Sequence, residues 1–137
     1  MSKCSIQILM TFIVLSACLV FTMPLERVSA ASHGHVVAMH MTASPANYSG
    51  TCPTTIKFPG WITVGGGPAE ITYGVSRSDG GHGNGGRHNF EKPGTWHSPE
   101  LTSWELGKPG QSFNGWVMIG SGTVKSNKAT FHLHCSK

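Results

Sequence analysis

Histidine and cysteine are the side chains of this sequence whose type and spacing best suit chemistry. All eight histidines lie beyond residue 30: His33, His35, His40, His82, His88, His97, His132 and His134. Two pairs have the form His-x-His, at 33/35 and 132/134. Alternate residues of an extended strand share a face, so each pair would put two imidazoles within reach of one copper or zinc ion. If the first strand paired with the last, His33, His35 and His40 would converge with His132 and His134 on one patch. The competing reading is a set of solvated histidines on an open sheet face, polar positions alternating with core positions.

The stretch "ATFHLHC", residues 129–135, sets a His-x-His pair beside a cysteine. Period-two alternation sends Phe131, Leu133 and Cys135 to one side and His132 and His134 to the other. A single ion held by the cysteine and both histidines is therefore disfavoured. Cys4 and Cys18 fall in the first thirty residues, so the remainder keeps only Cys52 and Cys135. An even pair in an exported chain is expected to form a disulfide. Closing so long a loop would stabilise the fold by about 4 kcal/mol on the chain-entropy model.

Export is read from the leader. Residues 1–30 carry Lys3, an apolar run over 6–21, Pro24 and then "VSA", the small residues a signal peptidase requires. Gln7, Thr11 and Ser16 interrupt the run, which is short for a membrane span. Cleavage after Ala30 is expected. An alternative is a lipid anchor, because "LSAC" has the form of a lipobox that would make Cys18 the lipidated first residue. Leu19, Val20 and Phe21 continue the apolar run where a lipoprotein turns polar, which favours soluble export into the medium or another extracytoplasmic space.

Residues 31–137 suit one small domain. Short runs of alternating apolar and polar residues recur with turn residues between them, and no window has the 3.6-residue period of a helix. The expected fold is all-β, with about seven strands over 36–42, 54–64, 70–77, 88–90, 101–106, 115–120 and 127–135. Turn signals separate them: "SPANYSG", "GGGP", "SDGGHGNGG", "EKPG", "GKPGQ" and "KSN". Seven short strands in this length fit a sandwich of two antiparallel sheets, preceded by a signal peptide and stapled by one disulfide.

Together, "YSGTCP", "FPGWIT", "ITYGVSRSDG", "WELG", "GW" and "SNKATFHLHC" resemble the recurring pattern of small secreted bacterial domains with an immunoglobulin-like β-sandwich fold, a family largely uncharacterised. The resemblance runs over 48–135 and implies a fold and export, with no activity attached. In antibody-type domains the disulfide joins strands B and F and a further strand follows. Here Cys135 lies in the last strand, so its bond would clamp an early strand to the terminal one.

Other constellations are weaker. Cleavage after Ala30 would leave Ala-Ser-His at the terminus, where the amine, two amides and the His33 imidazole can hold Cu(II) or Ni(II) in a square plane. The glycine-rich stretch over 78–88 is the least core-like, and Asp79, His82, Arg87 and His88 are its candidate ligand contacts. It lacks the Gly-Lys-Ser/Thr and the following helix of a phosphate loop. Asp79 after Ser78 suits a turn cap. Ser78, Asp79 and His82 are too close in sequence to align as a triad, and no two carboxylates have a glycosidase setting. Trp104 with Leu106, and Trp116 with Met118, read as core, whereas Trp61 and Trp96 could stack on sugars. "NYS" at Asn47 is a glycosylation sequon and marks a loop.

Only 12% of residues are charged and the basic ones are scattered without interleaved aromatics, so a nucleic-acid partner is not expected. The sequence thus reads as an exported, non-catalytic binding or cell-surface module for a protein or surface glycan. Histidine-mediated copper, zinc or nickel binding is the alternative, and carbohydrate binding a second one. Intact mass of protein from culture medium tests the processing: a chain starting at Ala31 and oxidised at Cys52 and Cys135 is expected, and a diacylglycerol adduct on Cys18 would reassign the leader.

Overall fold

The computed structural model describes residues 33–137, which form nine strands and no helix. The leader, its cleavage site, Cys18 and the residues preceding His33 lie outside the described residues. In chain order the strands are β1 (His35–Met41), β2 (Asn47–Gly50), β3 (Thr54–Gly65), β4 (Ala69–Arg77), β5 (His82–Phe90), β6 (Gly94–Leu106), β7 (Ser112–Ser121), β8 (Val124–Lys125) and β9 (Ala129–Cys135). They make two sheets. One has the order β1-β3-β6, the other β2-β9-β7-β4-β5 with β8 paired to β7.

The sheets face each other across an apolar layer that the alternation of the longer strands supplies. Ile56, Phe58, Ile62 and Val64 of β3 are buried, and Ala129, Phe131, Leu133 and Cys135 of β9 meet them from the other sheet. Phe58 and Phe131 touch edge to face with centroids 5.9 Å apart, and Trp104 packs likewise on Phe131 at 5.7 Å. Leu101 and Thr102 of β6 are both buried, near an irregularity in the register between β3 and β6 at Phe58/Gly60.

Polar bonds tie the two sheets together near their margins. The buried Tyr73 hydroxyl on β4 donates to the Leu101 carbonyl on β6 at 2.8 Å. Burial pushes the Tyr73 phenol above its ordinary pKa, so it stays a neutral donor. Thr102 Oγ1 donates to the Asn84 carbonyl of β5 at 3.0 Å. Beyond β8, Asn127 acts as a surrogate strand: its Nδ2 donates to the Met41 carbonyl at 2.8 Å and its Oδ1 accepts from the Met41 amide at 2.9 Å. Each such bond contributes about 1 kcal/mol net.

Cys52 and Cys135 form a disulfide with Cα atoms 5.5 Å apart, closing a separation of 83 residues. It sits where β2 runs parallel to β9, with Gly50 opposite Cys135. The Ser136 amide donates to the Gly50 carbonyl and the Cys135 amide to the Gln111 carbonyl, both at 2.8 Å. Gly107 covers the bond: a Cβ there would lie 2.8 Å from each sulfur, and its φ of +101° favours glycine.

Each of the seven expected strands has a counterpart, and the differences have physical causes. "SPANYSG" was expected as a turn, yet 47–50 form β2, whose pairing with β9 is parallel. The glycine-rich run was expected as a loop, yet the turn is confined to residues near 78–81 and 82–90 form β5. Its glycines make room for the neighbouring strand: the Tyr73 ring lies directly against Gly86, and a Cβ at Gly83 would meet the Val75 side chain at 2.8 Å.

Reduction of the disulfide is expected to lower stability by up to about 4 kcal/mol. Hydrogen exchange checks the location: amides over 47–50 and 132–136 should lose protection first, while β3 and β4 amides open only with global unfolding.

Candidate functional site

Strand β9 carries the most ordered group of polar side chains. Phe131, Leu133 and Cys135 are buried while Thr130, His132 and His134 are exposed on the outer face. The flanking strands fix what stands beside the imidazoles. His132 is paired with Asn47 of β2 and Asn114 of β7, and His134 with Ser49 of β2 and Ser112 of β7. The result is two parallel rows, amide–imidazole–amide and hydroxyl–imidazole–hydroxyl, lining an open groove of about 360 Å³.

Both imidazoles are held through the same ring atom. His132 Nδ1 lies 2.7 Å from Asn114 Oδ1, and His134 Nδ1 lies 2.8 Å from Ser112 Oγ. A carboxamide oxygen only accepts, so His132 Nδ1–H donates and its lone pair is left on Nε2. The Ser112 hydroxyl permits the same tautomer at His134. Two imidazoles two residues apart are about 7 Å apart at Cα, near enough for their Nε2 atoms to turn toward one ion.

The other histidines do not join them. β1 pairs with β3 and not with β9, so the convergence of His33, His35 and His40 with His132 and His134 that a β1–β9 pairing would give does not form. Among the described residues, no three His, Cys, Asp or Glu side chains come together in a metal-holding group. His33 is exposed beside Gly34, whose amide bonds the Pro68 carbonyl; His35 stands opposite Gly65. His40 lies opposite Trp61, which in turn is opposite His97.

The four candidate contacts of the glycine-rich stretch are spread out. Asp79 Oδ1 accepts from the Gly81 amide at 2.8 Å, and its carboxylate pairs with Arg77 at 3.2 Å. His82 opens β5 opposite Ser76, and Arg87 reaches Glu70 at 3.5 Å on the surface. His88 is half-buried: its ring stacks on Trp96 at 3.9 Å and meets the edge of Phe90 at 4.9 Å.

The tryptophans divide differently from expectation. Trp104 is buried, but Trp116 and Met118 stand on the outer face because Val117 and Ile119 take the core positions of β7. Both parities of "GWVMIG" are apolar, so alternation alone could not choose between them. Trp116 is capped by Lys128, whose Nζ lies 4.5 Å from the ring centroid. On the outer face of the other sheet, Lys57 pairs with Glu100 at 3.0 Å, and the hydrogen bond from Lys57 holds the Glu100 carboxyl below its ordinary pKa.

Asn114, Ser112 and Ser49 were not among the residues singled out by sequence, and Asn47 was noted only as a sequon in a loop. Their role depends on register, and the one local signal is the alternation of Ser112 and Asn114 with Phe113 and Gly115. Comparison with protein-family models, with curated proteins and with solved structures finds no match to this chain.

His88→Ala separates a packing role from a contact role. Loss of its stack on Trp96 is expected to cost about 1 kcal/mol in urea unfolding and to red-shift Trp96 emission; an unchanged midpoint would mean that the ring is free for a ligand.

Proposed function

We propose that this chain is an extracytoplasmic, non-catalytic binding module that contacts its ligand through the outer face of β2, β9 and β7, and that the ligand there is a transition-metal ion, copper or zinc. The observation that carries the reading is the common Nδ1 anchoring of His132 and His134, which leaves two Nε2 atoms on one open face. Metal-bound histidines characteristically donate their other ring nitrogen to a neighbouring side chain, which fixes tautomer and ring orientation. Two imidazoles fill part of a four-coordinate sphere, and water or groups from a partner complete it.

The finer fold assignment belongs to the same proposal. A three-stranded sheet facing a sheet in which an early short strand runs parallel to the last one has the arrangement of immunoglobulin-type sandwiches, with β1, β3 and β6 as A, B and E, and β2, β9, β7, β4 and β5 as A′, G, F, C and C′. This supports the resemblance to small secreted immunoglobulin-like domains. The disulfide differs, joining the connection before strand B to the end of strand G. A chain stapled in this way suits an oxidising compartment. Among the described residues, no helix is long and apolar enough to cross a membrane.

Calorimetric titration of the oxidised protein with Cu(II) and Zn(II) tests the site. One ion per chain is expected, abolished by His132→Ala with His134→Ala and weakened about 10-fold or more by Asn114→Leu, which removes the anchor of His132. Binding unchanged in the double variant would overturn the proposal.

A further inference from the structure

On the opposite sheet, Trp61 occupies the middle strand at a level where all three strands contribute side chains. His40 of β1 and His97 of β6 are its direct cross-strand neighbours. These three, with Thr42, Pro59, Gly60, Ser98 and Pro99, line an open cleft of about 380 Å³. Thr63 and Thr95 join hydroxyls at 2.7 Å two pairs further along the same strands, beyond Ile62 and Trp96.

The other tryptophans have their faces occupied. Trp104 is buried under Arg77 and against Phe113 and Phe131; Trp96 is covered by His88 at 3.9 Å; Trp116 is capped by Lys128. Trp61 differs. Its neighbour His40 lies 14° from parallel with centroids 5.7 Å apart, an offset stack that covers only part of the indole face. Trp61 is also outside the apolar core cluster. The indole is only half-buried on the outer face of the middle strand, so part of its ring stays accessible between two imidazoles.

We propose that this cleft binds a neutral saccharide, one hexopyranose ring of a glycan stacking its C–H face on Trp61 while its hydroxyls bond the His40 and His97 imidazoles and the Ser98 hydroxyl. The pattern of one aromatic platform between polar side chains fits a ring with an apolar face and a polar rim. The cleft volume falls in the range of small-molecule sites. Charge points the same way: none of the lining residues is a Lys, Arg, Asp or Glu, so the cleft has no fixed charge to select an ionic ligand.

This site lies on the sheet that does not carry His132 and His134, so its test is independent of metal binding. A glycan array probed with the oxidised protein, followed by fluorescence titration with the sugars it retains, reads the site directly. Saturable binding is expected, weakened at least 10-fold by Trp61→Ala, which corresponds to about 1.4 kcal/mol. His97→Ala, at an exposed position, should weaken it severalfold, while Trp116→Ala leaves it unchanged. A blank array at high protein concentration overturns the proposal. So does binding that survives both Trp61→Ala and His97→Ala, or an interaction at Trp61 that proves to be with a protein segment.

Discussion

The strict alternation of β9, locked in register by the disulfide, is the constraint on which the rest depends. A strand has a period of two, so a slip of one residue would turn Phe131 and Leu133 outward and bury two imidazoles. Three things forbid the slip. Phe131 is wedged among Phe58, Trp104 and Phe113; Cys135 is bonded to Cys52; and the β2 and β7 ladders grip β9 from both sides. The core and the histidine face are two consequences of that one register. The order of the polar rows at 47/132/114 and 49/134/112 follows from it without further provision.

Two-sheet folds also have to hold their layers together where the apolar filling thins out. Here the margins use buried or half-buried hydrogen bonds aimed at specific carbonyls. Tyr73 and Thr102 connect β6 to β4 and β5, while Asn127 satisfies both backbone groups of Met41 at the end of β1. Ser126 extends the second junction, accepting from the Ile119 amide and donating to the Asn127 carbonyl. Among the described residues no buried side-chain nitrogen or oxygen lacks a partner. A fully paired polar margin adds specificity because a misplaced sheet would leave these groups desolvated and unpaired.

How much of this was legible in the sequence depended on whether a feature is local. β3, β4 and β9 announce themselves through alternation, and the cysteine pairing followed from counting. β5 did not, because its glycines serve Tyr73 and Val75 on the adjacent strand, a non-local reason invisible in "SDGGHGNGG". β2 was hidden because it gains strand character only by docking in parallel on β9. Trp116 was assigned to the wrong face because two apolar residues of each parity compete, and the β-branched Val117 and Ile119 fit the interior between sheets better than a large indole. For the site, the histidines were visible while their hydroxyl and amide partners were not. Partnership across strands is a property of register, and alternation within a strand says nothing about which residue of the neighbour stands opposite.

An open sheet face sets opposite limits on what these groups can do. Strand-borne side chains anchored by their neighbours lose little entropy on binding, so the ordering cost is largely met in the folded protein. The same openness leaves the site wet, and water screens each polar contact that a closed cavity would strengthen. On the proposed readings, affinity at either face would rest on interactions that survive hydration: coordination at His132 and His134, and stacking at Trp61. A single module of this kind gains most when several act together, because a second contact on the same polymer or partner is effectively intramolecular. Two differently equipped faces on opposite sheets would let one small domain engage two ligands at once without either excluding the other, since the apolar layer between them keeps the two sites from sharing any residue.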